Sequence, residues 1–343
     1  MPNLLEVKNL SVTYRSPRGD VQAVRDVSFS LRPGEVLAVV GESGCGKSAL
    51  CRAVMRLLPD SAAVSGEILV NGVDIAPYRE REMQKLRGRL FSMVFQDPLT
   101  ALNPSMTIGA QIAEAVRVHD RKAPREAVSA RVEELMALVG IDRAAERMHA
   151  YPHQFSGGMR QRAVLAIALA GNPQILFADE PTTALDVTVQ AQILDLLRDV
   201  QQKLGTATVL VSHDLGVVAR AADRVAVMYA GRIVEIGTAE EVYYDPRHPY
   251  TWALLRALPA LARHGEPLYT IPGMPPTLID PPAGDAFAER NEYALAIDYR
   301  EAPPMFQITD THFAATWLLD PRAPKVEPPK IIQKLNSEGG AGA

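Results

Sequence analysis

Residues 35–58 read "EVLAVVGESGCGKSALCRAVMRLL", and this stretch decides the fold. Its apolar run at 36–40 is typical of a short buried strand. Gly41, Gly44 and Gly46 follow the run and predict a loop whose backbone N–H groups can approach a ligand with no side chain in the way. The residues after the loop predict a helix. The stretch therefore indicates an α/β protein built around a strand, a glycine-rich loop and a helix.

The spacing inside the loop has a specific chemical meaning. Gly41, Gly46, Lys47 and Ser48 fit the Walker A pattern in full, so Lys47 should reach the β- and γ-phosphates of a nucleotide and Ser48 should hold Mg²⁺. The helix that starts at Ser48 adds a partial positive charge of roughly +0.5 at its N-terminus. The residues expected to bind ATP here are Gly41, Glu42, Ser43, Gly44, Cys45, Gly46, Lys47, Ser48 and Ala49.

A second apolar run ends in two acids. The segment "QILFADEP" at 174–181 predicts a strand followed by Asp179 and Glu180. Asp179 is the expected second anchor of the Mg²⁺ shell. Glu180 is the expected general base that polarises the attacking water, a role worth roughly 10²–10⁴-fold in rate.

The composition limits the possible classes of protein. The 343 residues are 47% hydrophobic, enough to bury the core of one large domain with an extension, or of two domains. The formal net charge of −4 gives no basic footprint for nucleic acid. The only cysteines, Cys45 and Cys51, lie on one short segment and offer no disulfide framework, which suits a reducing cytosol.

A second glycine pair lies far along the chain. The residues "FSGGM" at 155–159 precede an apolar helical pattern, so Ser156 and the N–H groups after it predict another anion site at a helix N-terminus. The first loop already surrounds the phosphates from one side. A second cradle for the same phosphate makes sense if another subunit, facing head to tail, contributes it.

Together these residues resemble the ABC transporter ATPases, whose signature "LSGGQ" stands here as "FSGGM". The resemblance implies that two ATPase chains sandwich two ATP molecules. Each ATP then lies between the Walker A loop of one chain and the signature of the other. The signature residues implied to act in trans are Phe155, Ser156, Gly157, Gly158 and Met159.

The remaining motifs of that family follow in order. By resemblance, Gln96 in "LFSMVFQDP" contacts Mg²⁺ and senses the membrane partner, and Asp186 in "TTALD" lies in the D-loop at the dimer interface. His213 in "VLVSHD" is the implied switch histidine at the γ-phosphate, and Tyr14 the aromatic that stacks on adenine. The implied catalytic residues are Glu180, His213, Lys47 and Gln96, and the implied Mg²⁺ ligands are Ser48, Gln96 and Asp179.

The fold class that follows is α/β: a P-loop NTPase of the ABC ATPase type, with a mainly parallel sheet, an antiparallel β-subdomain, a helical subdomain and a small loop-rich C-terminal extension. We expect the nucleotide-binding domain at 1–242, with its helical subdomain at about 98–165. The proline-rich extension is expected at 243–325 and a disordered tail at 326–343.

Local patterns add finer expectations. "PREAVSARVEELMALVG" at 124–140 predicts a helix between its proline and its glycine, and the apolar spacing from Val189 to Leu204 predicts another. The sequence at 225–242 predicts a hairpin that turns at Ala230-Gly231 and is followed by a helix.

The C-terminal extension indicates which class of substrate is transported. "HPYTWALLRALP" at 248–259 and the prolines after it resemble the oligopeptide/dipeptide permease branch, most closely the D-type ATP-binding subunits of Gram-positive oligopeptide permeases. Many relatives bind an iron–sulfur cluster there through four cysteines. The corresponding positions are Asp285, Asn291, Asp298 and Thr316, so no thiolate is present and we predict no cluster.

The resemblance implies an ATP-binding and ATP-hydrolysing subunit that powers oligopeptide import. The implied partners are a sister ATP-binding subunit or an identical copy, two transmembrane permease subunits and an extracellular peptide-binding lipoprotein, with no nucleic acid. The longest apolar run, at 163–171, is half the length that a bilayer requires, and no signal peptide is evident. The resemblance implies a peripheral protein at the cytoplasmic face of the membrane. The alternatives are import of dipeptides, nickel or another small solute and, more distantly, a non-transport ABC ATPase acting on nucleic acid.

Overall fold

The computed structural model describes residues 2–183, 185–218, 220–261 and 268–339. The chain divides into two compact units. The first comprises essentially Leu31–Val36 and Pro77–Val211, and the second Asn3–Ser30, Leu37–Ala76 and the residues from Ser212 onward. Within the described ranges, no helix is both long enough and apolar enough to cross a bilayer.

The elements are numbered in chain order. The strands are β1 (Leu5–Tyr14), β2 (Val21–Leu31), β3 (Val36–Val40), β4 (Ala62–Val70), β5 (Val73–Asp74), β6 (Phe91–Val94), β7 (Ile175–Asp179), β8 (Ala207–Ser212), β9 (Arg224–Tyr229), β10 (Arg232–Thr238), β11 (Phe306–Gln307) and β12 (Phe313–Ala314). The α-helices are α1 (Lys47–Val54), α2 (Glu80–Leu86), α3 (Pro98–Ala101), α4 (Ile108–His119), α5 (Arg125–Leu138), α6 (Ala144–Arg147), α7 (Gly157–Leu169), α8 (Val187–Leu204), α9 (Leu215–Val218), α10 (Ala239–Tyr244), α11 (Pro249–Arg256) and α12 (Lys330–Gly339). Short 3₁₀ helices lie at Pro152–Gln154, Pro259–Leu261, Ala288–Arg290 and Trp317–Leu319.

The first unit contains the parallel strands β6, β7 and β8, in that order. Every residue of β7 and β8 is buried, as expected of parallel strands covered on both faces. The predicted helix at 124–140 is α5, which has Pro124 as its N-cap and is followed by Gly140 in the left-handed region. Its predicted apolar stripe is buried, namely Val128, Val132, Leu135, Met136 and Val139.

The second unit contains an antiparallel sheet of strand order β2-β1-β4-β5. Strands β3, β9, β10, β12 and β11 are also neighbours in that order, with β3 and β9 parallel and the others antiparallel. The predicted hairpin is present: β9 and β10 are joined by Ala230 and Gly231, both with positive φ, as in a tight two-residue turn.

The C-terminal extension is bound to this hairpin. β12 pairs with β10 through Glu235↔Ala314 and Ile236↔Phe313. The fully buried Glu235 carboxylate accepts hydrogen bonds from the backbone N–H groups of Arg247 and His248, at 2.6 and 3.0 Å, and its Oε1 lies 2.8 Å from Nε2 of His312. One acidic side chain of the hairpin therefore holds two segments of the extension.

Two details bear on the predicted organisation. The expected boundary between 242 and 243 lies within the second unit, where the extension packs on the hairpin and on the glycine-rich loop. In the predicted disordered tail, residues Lys330–Gly339 form α12, whose Ile332 and Leu335 are buried against α10 and α11. The last four residues, 340–343, lie outside the described residues.

Candidate functional site

The glycine-rich loop connects β3 to α1 in the second unit. Lys47 is the first residue of α1, and its side chain is buried. The Lys47 ammonium donates to the carbonyl oxygens of Gly41 and Glu42, over 2.7 and 2.9 Å. The loop is thus wrapped around its own lysine, which lies at the N-terminal end of a helix where an anion is stabilised.

Two glycines of the loop are required by the protein's own backbone. Gly41 and Gly46 have φ of 156° and 106°. A Cβ on either residue would collide with a carbonyl oxygen, that of Met228 for Gly41 and that of Ala23 for Gly46. The loop is therefore packed closely on the ends of β9 and β2. Sequence reasoning predicted close approach to a ligand, whereas the structure adds close approach to neighbouring strands.

Tyr14 is the last residue of β1 and is half-buried. Burial raises the pKa of its phenol, and the nearby Arg52 guanidinium of α1 partly offsets this rise. The ring therefore lies beside the helix that follows the glycine-rich loop.

In the first unit, Asp179 is the last residue of the buried strand β7, and Glu180 follows it. Asp179 is buried, and Glu180 adopts a left-handed conformation with φ of 47°. Such a backbone is costly for a residue other than glycine and is concentrated at functional sites. The Glu180 backbone N–H donates to the carbonyl oxygen of Val211 over 3.1 Å, which fixes the turn at the carboxyl ends of β7 and β8.

The Glu180 carboxylate is oriented by two side chains. Gln96 Nε2 and Thr183 Oγ1 each donate to Glu180 Oε2 over 3.0 Å. The structure therefore brings Gln96 and Glu180 together, although they lie in motifs far apart in the sequence. An oriented carboxylate at the open end of parallel strands can accept a proton from a bound water.

The second glycine pair lies at the start of α7, also in the first unit. Ser156 is the N-cap and accepts from the backbone N–H of Met159 over 3.4 Å. Ser156 and Gly157 are exposed, while Phe155 is buried. The exposed part thus consists of a hydroxyl and free N–H groups, as an anion site requires.

Leu185, just before α8, and the first turn of α8 pack on this glycine pair, since a Cβ on Gly157 would come within 3.3 Å of Leu185 Cδ2. Asp186 is the N-cap of α8 and accepts from the backbone N–H of Val189 over 3.0 Å. A Cβ on Gly158 would come within 2.7 Å of Val189 Cγ1. The predicted signature and the predicted D-loop are therefore neighbours within one chain.

His213 follows β8 and is exposed. The next residue, Asp214, accepts from the backbone N–H of Gly216 over 2.9 Å and so begins the turn into α9. His213 thus lies at the end of a strand, where the sequence predicted it.

The sequence analysis missed two residues that contact the glycine-rich loop and a third that contacts one of them. Arg290 forms an ion pair with Glu42, Tyr250 accepts from the Glu42 backbone N–H, and Tyr229 contacts Arg290. No local motif marks these residues. Arg290 and Tyr250 each lie more than two hundred residues from Glu42 in the sequence.

The four positions that carry cysteine in many relatives have another use here. Each side-chain oxygen accepts from a nearby backbone N–H: Asp285 from Phe287, Asn291 from Tyr293, Asp298 from Leu295 and Thr316 from Leu318, over 2.6 to 3.3 Å. The Asp285 backbone N–H also donates to the carbonyl oxygen of Asp298. In the described part of the chain, no group of three or more His, Cys, Asp or Glu residues could hold a metal ion. These four side chains fit turns of the backbone and do not fit a cluster.

Comparison with protein families gives two matches. Residues 24–183 match the family described as "ABC transporter", and residues 234–297 match "Oligopeptide/dipeptide transporter, C-terminal region". The oligopeptide transport ATP-binding protein of Bacillus subtilis is 55% identical over 96% of this chain and 93% of that protein. The dipeptide transport ATP-binding protein of Lactococcus lactis is 54% identical over 95% of this chain and 93% of that protein.

Solved structures that resemble this chain are also ABC transporter cassettes. A dimeric bacterial ABC transporter cassette has a TM-score of 0.61 and 27% identity, covering 68% of this chain and 98% of the cassette. A dimeric ATP-binding cassette in a post-hydrolysis state with ADP and phosphate has a TM-score of 0.61 and 26% identity, covering 68% of this chain and 98% of that cassette. The predicted fold class is thereby confirmed.

Proposed function

The chain belongs to the ABC transporter family, as an ATP-binding subunit of its oligopeptide/dipeptide branch, and we propose that it powers oligopeptide import by hydrolysing ATP. The observation that carries the proposal is identity of about one half to peptide-transport ATP-binding proteins along nearly the whole chain, including the C-terminal region typical of that branch. A match to the ATPase core alone would have left the cargo open.

The chemistry proposed for ATP uses residues of several motifs. Lys47 and the N–H groups of the loop at 41–48 bind the phosphates, and Tyr14 stacks on the adenine. Glu180 accepts the proton of the attacking water, in the orientation set by Gln96 and Thr183. His213 acts at the γ-phosphate. The oriented carboxylate and the buried lysine support these roles.

Mg²⁺ is the metal that fits the proposed site. A serine hydroxyl, an amide oxygen and a carboxylate are oxygen ligands, which Mg²⁺ prefers, and Ser48, Gln96 and Asp179 provide them. When bound, the ion neutralises charge that develops on the phosphates. Iron–sulfur chemistry has no place in the proposal.

The proposed assembly is a dimer of ATPase chains on two membrane permease subunits, at the cytoplasmic face of the membrane, with an extracellular peptide-binding lipoprotein. Ser156, Gly157 and Gly158 act on the ATP of the partner chain, with Asp186 at the interface. The exposure of Ser156, Gly157 and Asp186 supports this, as does the dimeric state of the related cassettes. The apolar side chains Phe95 and Leu99, which are 41% and 61% exposed on either side of Gln96, suit a docking surface for a permease subunit.

Uptake in the native cell tests the cargo. Cells carrying chromosomal Glu180→Gln would receive labelled pentapeptide, labelled dipeptide and nickel in parallel. Glu133→Gln, an exposed substitution on α5, is the matched control. Loss of pentapeptide uptake, with nickel uptake unchanged, is the expected result. Loss of nickel uptake alone would overturn the cargo but not the ATPase.

Dipeptide import is the second candidate. It is favoured by one observation, the 54% identity to a dipeptide transport ATP-binding protein, which nearly equals the 55% identity to the oligopeptide relative. The same uptake experiment ranks the two peptide lengths. A loss of dipeptide uptake that exceeds the loss of pentapeptide uptake would favour this candidate.

A further inference from the structure

Arg290 of the C-terminal extension forms a bidentate ion pair with Glu42 of the glycine-rich loop. Its Nη1 lies 2.6 Å from Glu42 Oε2, and its Nη2 lies 2.9 Å from Glu42 Oε1. The two side chains are 4% and 27% exposed. This geometry is the strong form of a charge-assisted hydrogen bond, and it is largely removed from solvent.

The Arg290 side chain makes three further contacts. Arg290 Nε donates to the carbonyl oxygen of Pro272 over 2.8 Å, and Nη1 donates to the hydroxyl of Tyr229 over 3.1 Å. The backbone of Gly273, next to Pro272, also lies against the Arg290 side chain, because a Cβ there would come within 3.4 Å of Arg290 Cγ. Contacts other than the ion pair with Glu42 therefore also restrain the Arg290 side chain.

The main chain of Glu42 is held by the same part of the protein. Its backbone N–H donates to the hydroxyl of Tyr250 over 2.9 Å. The Tyr250 ring is fully buried, and its centroid lies 4.5 Å from that of Tyr229 and 5.3 Å from that of Phe287. Both the backbone and the side chain of Glu42 are thus positioned by residues beyond the loop.

The charge of Glu42 matters because of where it lies. A carboxylate one residue after Gly41 belongs to a loop that receives a polyphosphate, and an unpaired negative charge there repels the phosphates. The Glu42 carbonyl oxygen also accepts from Lys47 Nζ, so displacement of Glu42 would move a partner of the phosphate-binding lysine. The Arg290 guanidinium counters both effects, since it neutralises the carboxylate and restrains the residue.

We propose that Arg290 is a positioning residue for ATP binding: it pairs with Glu42 and holds the phosphate-binding loop in its binding conformation, so that the C-terminal extension determines the affinity of the loop for ATP. The inference rests on the proposed function, because it requires that residues 41–48 bind the phosphates.

The test is a binding titration of a fluorescent ATP analogue and of Mg·ATP, by competition, on the purified full chain. The variants are Arg290→Met, Glu42→Gln and the double variant. Arg322→Met is the control, because Arg322 pairs with Asp320 in an exposed ion pair of the same extension. Lys47→Ala gives the baseline without phosphate binding.

We expect Arg290→Met to weaken ATP binding by about tenfold or more, because it leaves a half-buried carboxylate unpaired beside the phosphates. Glu42→Gln removes the charge that Arg290 neutralises, so adding Arg290→Met to the Glu42→Gln variant is expected to weaken ATP binding by no more than about threefold further. The weakening in Arg290→Met should diminish as salt rises toward about 0.5 M, since it arises from charge repulsion.

The outcomes separate this inference from the proposed function. If the native chain binds ATP and the Arg290→Met variant binds it equally well, Arg290 has no positioning role. If Arg290→Met weakens ATP binding as much in the Glu42→Gln variant as in the native chain, and salt has no effect, the loss comes from general damage to the fold, and the inference is overturned. If the native chain itself binds no ATP, the proposed function is overturned as well.

Discussion

Gln96 Nε2 donates a hydrogen bond to Glu180 Oε2 over 3.0 Å. The contact joins the segment after β6 to the residue after β7, and these two strands are parallel neighbours. A displacement of the Gln96 segment would therefore move the carboxylate of Glu180, which we propose as general base. Through this contact, the proposed docking of a permease subunit near Gln96 would affect the proposed proton acceptor directly.

Replacement of Glu180 by Gln should stop turnover while ATP binding persists. The Gln side-chain oxygen can still accept from Gln96 and Thr183, but it cannot take a proton from water. We expect phosphate release to fall by about 10²–10⁴-fold. Release of phosphate and ATP binding would be measured on the same preparation, with Glu133→Gln as the control. Turnover at the native rate would remove Glu180 from its role.

Replacement of Gly158 by Ala should impair turnover through packing. The new Cβ would lie 2.7 Å from Val189 Cγ1, so either the Val189 side chain or the start of α7 must move. A displacement of about 1 Å in a binding element can cost about 10²-fold in rate. We expect turnover to fall by about 10–100-fold and ATP binding by the isolated chain to be retained. The double variant Gly158→Ala/Val189→Ala restores the space, so it should recover part of the activity. An equally inactive double variant would speak against packing as the cause.

Stability should depend on pH through Asp285. Burial raises its pKa from the usual 3.8 to about 6, while the hydrogen bond from the Phe287 backbone N–H acts in the opposite direction. Because the folded pKa is the higher one, the ionised form is disfavoured in the folded protein. The cost is fully present above about pH 6 and is relieved as pH falls from about 6 toward 4.

The Asp285→Asn variant should therefore be more stable than the native chain at pH 8, by about 2–3 kcal/mol, and equally stable near pH 4. The Asn oxygen can keep the hydrogen bond from Phe287. Urea unfolding at a series of pH values measures the difference, and Asp60→Asn, at an exposed position, is the control. A constant difference between pH 4 and pH 8 would show that ionisation of Asp285 is not its cause.

The purified protein should contain no stoichiometric iron. The oxygens at the four positions that correspond to the cluster cysteines already accept hydrogen bonds from the backbone. Metal analysis by mass spectrometry and a visible absorption spectrum of protein prepared without oxygen would check this. Iron near four atoms per chain, with a charge-transfer band, would contradict the prediction.

Much of the fold was predictable because its signals are local. The P-loop, α5 and the hairpin at Ala230-Gly231 each follow from a few adjacent residues whose backbone requirements are specific. The site residues in those motifs could be identified for the same reason. Their proposed roles come from the resemblance.

The extension was less predictable because tertiary contacts form it. Arg290 lies in a segment that has no regular period, and its partner Glu42 lies in another motif. The helix α12 was missed because a Gly/Ser-rich end suggested disorder. Its signal was present in Ile332 and Leu335, which are spaced three residues apart and are buried on one face.

The pairing of β12 with β10 has a consequence for solubility. An uncovered strand offers a row of free N–H and C=O groups to which another chain can add. β12 covers part of β10, at Glu235 and Ile236, and the Ala315 backbone N–H covers Val234 next to them. Removal of the residues after 242 would therefore do more than delete a cargo-specific region. It would leave the apolar strand β10 as an open edge, and we expect the shortened chain to aggregate.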